Sequence, residues 1–190
     1  MNREKVQDSA HKEFEQTHKR GALQPVDPKM MTQEESSKVI RSMLLTKQKS
    51  SGTHKSRAVA DGSKQRGSAD DEDKASPTAS LRAILLTAII EAQEERDVAT
   101  VDTPNAFLHS ELSEEDQVTM RLHGEVAETL VKLAPEIYRS HIVTERGKKA
   151  LHVRLKKALY GLLKSALLFY EKLSKDSIDE GFAIDPHDRC

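Results

Sequence analysis

Apolar residues along this chain fall into runs of distinct spacing, and each spacing predicts an element. Val6, Ala10 and Phe14 recur every four residues in a polar background, which predicts a short amphipathic helix ending before Gly21. Thr32-Gln-Glu-Glu35 has a capping-box pattern. It opens a helix expected to run to about Lys47, with Val39, Ile40, Met43 and Leu44 as its apolar stripe. His54 to Ala60 alternates weakly, and Ser50-Ser51-Gly52 before it is a turn signal, so this stretch reads as a hairpin. Ser76-Pro77 supplies an N-cap and a proline at the first helical position. Leu81, Ile84, Leu85, Ala88, Ile89 and Ala92 follow at helical spacing, and this helix is expected at the centre of the core.

The second half continues the alternation of elements. Asp97 to Asp102 reads as a strand, and Gln117 to Leu122 alternates as another. Glu125 to Leu133 is a helix stopped near Pro135. Leu151 to Leu155 is a third strand after the Gly147 turn, and Lys164 to Glu180 is a long amphipathic helix closed by Gly181. There is no internal repeat and no heptad array. The order from Pro77 is helix, strand, strand, helix, strand, helix. That order suits an α/β (α+β) fold, a small mixed or antiparallel sheet with helices packed on one face.

Composition narrows the class. A chain of 190 residues predicts one domain, with two small lobes allowed. A net charge of -1 excludes a wholly basic nucleic-acid binder, so any such contact must come from local patches. Cys190 is the single cysteine, which excludes a disulfide framework or a cysteine zinc site and fits a reducing compartment. The polar first residues lack the apolar core of a signal peptide. The longest apolar stretch, Leu81 to Ile90, contains Arg82 and Thr87 and is shorter than the roughly 20 residues that span a bilayer. A cytoplasmic or nuclear location with no membrane partner is therefore expected. Asp70-Asp71-Glu72-Asp73 reads as a solvated loop.

The candidate chemistry concentrates in four places. Val98 to Leu108 delivers Asp102 to the end of a β-rich run, followed by a Thr103-Pro104-Asn105 turn and Phe107. A carboxylate so placed suits a hard metal ion, although an aspartate before a proline turn is also ordinary turn chemistry. Lys47 to Arg66 holds six basic residues against one acid, Asp61; Lys55 and Arg57 stand two apart, share a strand face and could clamp a triphosphate. Arg146, Lys148, Lys149, Arg154, Lys156, Lys157 and Lys164 form a second cluster with no acid between, able to follow a nucleic-acid backbone or simply to face solvent. Gly161, in the tract Ala158 to Ala166, allows close backbone approach or a plain connection into the next helix. The histidines lack ligand spacing, no glycine-rich phosphate loop occurs, and a hydrolase has no motif behind it.

Taken in order, these pieces resemble a copia-type reverse transcriptase of LTR retrotransposons. The carriers are Gly21-Ala-Leu-Gln-Pro25, Lys55-Ser-Arg57, Ala60 to Gln65, Ser76 to Ser80, Asp97 to Asp102 with Ala106-Phe-Leu108, and Val118-Thr-Met120. Lys157-Ala-Leu-Tyr-Gly161, Ser165 to Tyr170, Gly181-Phe182 and Asp185 to Cys190 complete the series. The resemblance implies a polymerase fingers-and-palm fragment, with residues 1–75 as N-terminal helices and a basic fingers-like hairpin and residues 76–190 as a partial palm. It implies RNA template, DNA primer and deoxynucleoside triphosphate as partners, together with the rest of a polyprotein. It implies Mg2+ as cofactor in a two-metal mechanism, the ions about 3.5–4 Å apart.

Residue by residue, the resemblance makes Asp102 the catalytic metal ligand, with the Thr103 carbonyl as helper. Asn105 and Ala106 would lie by the incoming nucleotide, and Phe107 would sit under its sugar and exclude a 2′-hydroxyl. Lys55 and Arg57 would meet the phosphates, the key contact falling to either. Tyr160, Gly161, Lys164, Lys156 and Lys157 would meet template and primer. Two positions depart from the family pattern: Thr103 stands where an aliphatic residue is common, and Lys164 where many members carry Gln. The family continues past the Asp-x-Cys element into a hairpin with two adjacent aspartates, and this sequence stops at Cys190. Alone, it is expected not to complete a two-metal site. The competing expectations are a non-catalytic nucleic-acid-binding or scaffold remnant, and an unrelated α/β interaction domain whose basic hairpin and Asp102 would lie on different faces.

Overall fold

The computed structural model describes residues 3–67 and 76–184, so the acidic run at 70–73 and the last six residues lie outside it. Helix α1 (Arg3–Lys19) forms where the four-residue spacing predicts it. Its apolar row ends in Phe14, 2 % exposed, and Gly21 at φ +67° follows it in the left-handed region that terminates helices. Strand β1 (Leu23–Val26) comes next, a four-residue strand too short to announce itself by periodicity.

The capping box at Thr32 is real: Thr32 Oγ1 accepts from Glu35 N at 3.1 Å, and Glu35 Oε2 accepts from Thr32 N at 2.8 Å. The helix it opens is not the long one expected. Helix α2 (Gln33–Lys38) lasts six residues. Lys64 Nζ donates to the carbonyls of Ser37 and Val39 and closes its end. From Ile40 the chain is strand β2 (Ile40–Gln48), paired antiparallel with β3 (His54–Ala60) from Ser42↔Ala60 to Gln48↔His54. Ile40 and Leu44 fit a helical stripe and a strand face equally well. The ladder to β3 decides for the strand.

Helix α3 (Leu81–Gln93) is capped by Ser80, whose Oγ accepts from Ala83 N at 3.0 Å, and not by Ser76. The expectation that it centres the core is overturned. Leu81, Ile84, Leu85 and Ile89 are 72 %, 53 %, 56 % and 55 % exposed, and no residue of the helix is buried. Helical spacing shows that a helix forms but not what it packs against. The expected strand at 97–102 is also absent: the segment is irregular and exposed, Val101 at 86 %. β-prone residues without a neighbouring strand have no ladder to join.

In the remainder, the elements at 119–123, 125–133, 148–155 and 165–179 stand where the spacing predicts them, and those at 135–138 and 142–145 were not expected. Strand β4 (Thr119–His123), helix α4 (Glu125–Leu133), helix α5 (Pro135–Tyr138), strands β5 (Ile142–Glu145) and β6 (Lys148–Leu155), and helix α6 (Ser165–Asp179) complete the fold. The result is mixed α/β, a six-stranded, mostly antiparallel open sheet. Its order is β1-β6-β4-β2-β3, with β1 and β5 lying end to end along the same edge of β6 and only β2 and β4 parallel. One face carries Ile40, Met120, Leu122, Leu151, Val153 and Leu155, all nearly inaccessible, against Phe14, Leu130 and Tyr138 of the helices. The outward backbone of β3 is occupied: Ser9 Oγ donates to His54 O, Ala58 N donates to Glu13 Oε1, and Ala60 N donates to Tyr160 O.

The other face carries Arg121 and His123 of β4 beside His152 and Arg154 of β6. His152 is 5 % exposed. Burial pushes its imidazole below the ordinary range, Glu145 opposes that, and Arg121 and His123 add to it. A base held neutral in the fold takes up its proton on unfolding. Stability is therefore complete above the unfolded histidine range near 6.5 and is lost as pH falls below it. Thermal unfolding between pH 8 and 5 is expected to show a falling midpoint, and His152→Gln should flatten that fall.

Candidate functional site

The hairpin β2–β3, helix α1 and the irregular segment after α3 enclose a cleft of about 670 Å3. Lys55, Asp102 and Asn105 all line it, with Glu13, Gln16 and His54. The acid that the sequence singled out and one cation of the basic hairpin thus face the same space, against the expectation of an unrelated domain. Asp102 is exposed at the rim and Thr103 beside it is half-buried.

Asn105 takes φ +55°, a left-handed conformation that asparagine tolerates, and its Nδ2 donates to Gln16 Oε1 at 2.8 Å. This turn starts a short 3₁₀ helix, Ala106–His109, which buries Leu108 and leaves Ala106 and Phe107 half-buried. Phe107 meets Tyr160 edge-on at 4.7 Å between centroids and Phe169 of α6 at 6.3 Å. The Arg57 guanidinium stands 5.0 Å over the Tyr160 ring, a cation–π contact. Arg57, Phe107 and Tyr160, chosen from three separate sequence segments, therefore form one cluster.

Gly161 explains how that cluster is held. A parallel bridge joins Val59 to Tyr160, and Ala60 N donates to Tyr160 O at 2.7 Å. The chain after Tyr160 runs so close to β3 that a Cβ at Gly161 would meet Ala60 O at 2.0 Å. The glycine was legible as a site of close approach, and what approaches is the basic hairpin.

The remaining template-side residues are not gathered there. Lys164 pairs with Asp116 at 2.9 Å, Lys156 Nζ donates to Gln117 Oε1 at 3.1 Å, and Lys157 forms an isolated bridge with Glu111. Elsewhere in the second basic cluster, Lys149 pairs with Glu128 and Arg154 with Glu35.

Glu13 escaped the sequence reading. Its carboxylate accepts the Ala58 N–H at 3.0 Å. Burial raises its pKa, while that hydrogen bond and the charges of Lys55 and Arg57 pull the other way. The only signal available was its place beside Phe14, the most buried apolar residue of α1. His54 also lines the cleft, and both its ring nitrogens are buried without a hydrogen bond inside the chain.

Residues 30–189 match the family model described as reverse transcriptase (RNA-dependent DNA polymerase). The chain is 26 % identical over 186 residues to the Transposon Ty1-NL2 Gag-Pol polyprotein of Saccharomyces cerevisiae, across 94 % of this chain and 9 % of that protein. It is 26 % identical over 179 residues to the Transposon Ty1-BL Gag-Pol polyprotein of the same organism, across 90 % of this chain and 8 % of that protein. The chain thus spans less than a tenth of the length of these curated relatives. No solved structure matches it. Helix α1, the far wall of the cleft, precedes the segment that the family model covers.

Proposed function

The chain belongs to the reverse transcriptase (RNA-dependent DNA polymerase) family, and from that premise we propose that it forms the fingers and partial palm of a copia-type RNA-directed DNA polymerase, residues 1–75 and 76–190. The observation that carries this reading is the shared cleft: Lys55, Asp102 and Asn105 on its wall, with Phe107 and Tyr160 clustered against Arg57 of the same hairpin.

In this reading a deoxynucleoside triphosphate enters with its phosphates toward Lys55 and Arg57 and its sugar against Phe107. The Asn105–Ala106 backbone borders the nucleotide. Tyr160 and Gly161 carry template and primer past it, and Lys156 and Lys164 serve the backbone only by exchanging their present side-chain partners, Gln117 and Asp116, for phosphates, with Lys157 beside them.

Asp102 and the Thr103 carbonyl offer the hard oxygen donors that Mg2+ takes. Among the described residues, however, no group of three or more His, Cys, Asp or Glu stands together to hold a metal ion. One carboxylate does not make a two-metal centre, so we assign this chain binding and positioning and no bond chemistry of its own.

The test is fluorescence anisotropy with a labelled RNA–DNA hybrid, alongside primer extension. Salt-sensitive binding without extension is expected. Lys55→Ala and Arg57→Ala are each expected to weaken Mg2+-dependent triphosphate binding about tenfold, the loss of one charge-assisted contact. Extension by the isolated chain would overturn the inactive part. No binding at low salt would overturn the whole reading.

A further inference from the structure

We propose that the pocket between β4 and the β5–β6 turn is a second anion site, shaped for a phosphate group. It is an open depression of about 310 Å3 lined by Arg121, His123, Glu145, Arg146 and Lys148, sharing no lining residue with the cleft.

Register brings these residues together. Arg121 and His123 project from one face of β4, Arg121 opposite His152 and His123 opposite Ala150 of β6. The β5–β6 hairpin places Glu145 across from Lys148 and presents Arg146 at its tip. Three permanently charged cations thus line the pocket against one carboxylate. That carboxylate is already engaged: Arg121 Nη1 donates to Glu145 Oε2 at 3.2 Å, and His152 Nε2 lies 3.5 Å from Oε1. The surplus of two positive charges matches a phosphate monoester dianion.

Two further observations point to a ligand. Arg121 Nε is buried with no hydrogen-bond partner, and a buried donor of this kind is normally satisfied. Arg146 holds φ +48° ahead of Gly147 at +75°, a two-residue turn in which an arginine takes a place that asparagine or glycine fills without strain. The strained arginine lines the pocket and adds its charge there. The burial and neighbouring Arg121 that push the His123 imidazole below its usual range agree with a positive potential there.

The experiment is NMR observation of the His123 and His152 imidazoles during titration with inorganic phosphate, with sodium chloride of matched ionic strength as control. Saturable shifts with phosphate and none with chloride are expected. Arg146→Gly relieves the turn and keeps the fold, so it is expected to raise the phosphate Kd about tenfold without lowering thermal stability. Lys148→Ala should act in the same direction.

Two competitors then separate the sources of the phosphate. Displacement by inorganic triphosphate but not by a short oligonucleotide identifies a free phosphate or polyphosphate. The reverse identifies a nucleic-acid backbone. Shifts that do not saturate, or that persist unchanged in Arg146→Gly, would overturn the site. Because the cleft takes no part, failure here leaves the polymerase reading standing.

Discussion

Gly161→Ala is expected to destabilise the fold by about 2–6 kcal/mol, a large part of the roughly 5–15 kcal/mol that a domain possesses. Two effects combine. The residue sits at φ +92°, where a side chain is strained. Its new Cβ would meet Ala60 O at 2.0 Å and Val59 Cγ1 at 2.8 Å. Ala60 cannot withdraw, because it is paired with Ser42 in the β2 ladder and its own N–H is bonded to Tyr160 O. The seam is tight from both sides: a Cβ at Gly62 would meet Gly161 O at 2.2 Å. Gly52→Ala is the control, because Gly52 has φ +79° with open space around it and should cost only the dihedral penalty of about 1–2 kcal/mol. Urea unfolding of both variants separates contact from conformation. Equal losses would mean that the close approach at Gly161 is absent in solution.

Tyr138→Ala is the second large effect, about 3–5 kcal/mol for deleting a fully buried aromatic. The ring packs edge-on against His18 at 5.5 Å, and its hydroxyl is bonded to His18 Nδ1 at 2.8 Å. Tyr138→Phe keeps the packing and leaves the imidazole without its partner, which should cost about 1–3 kcal/mol. A double-mutant cycle with His18→Ala isolates that bond. Burial also pushes the phenol up to about 12 from its ordinary 10.0. The unfolded chain loses this proton first, so wild-type stability is lost as pH rises from 10 toward 12, and Tyr138→Phe should remove that loss. The same variants test the cleft. His18 lies on α1 two residues from Gln16, which holds Asn105, so loosening α1 should weaken triphosphate binding even where the chain remains folded.

The sequence was most legible where one pattern had one solution. Glu125 to Leu133 and the helix after Lys164 have a single apolar face and a clear stop, and both formed as expected. The Thr32 helix failed because Ile40 and Leu44 satisfy two periods, and only the partner strand chose between them. Leu81 to Ala92 failed differently: the helix is right and its surroundings are wrong, because apolarity shows what seeks burial and not where burial is found. At the cleft, Asp102, Lys55 and Asn105 were named from local motifs and line one cleft. Glu13 and Gln16 were not, because their roles arise from docking α1 against β3, a long-range event without a short-range trace.

The arrangement along β3 bears on how this protein survives storage. Insoluble fibres often grow when a second molecule adds its backbone, rung by rung, to an unguarded sheet border. Here the rungs at His54, Ala58 and Ala60 are already taken by Ser9, Glu13 and Tyr160, so growth has no consecutive foothold. Two of those three guards ride on α1. A protease cut at Gly21 that frees α1 is therefore expected to turn the chain into a seed, visible as a rise in thioflavin fluorescence.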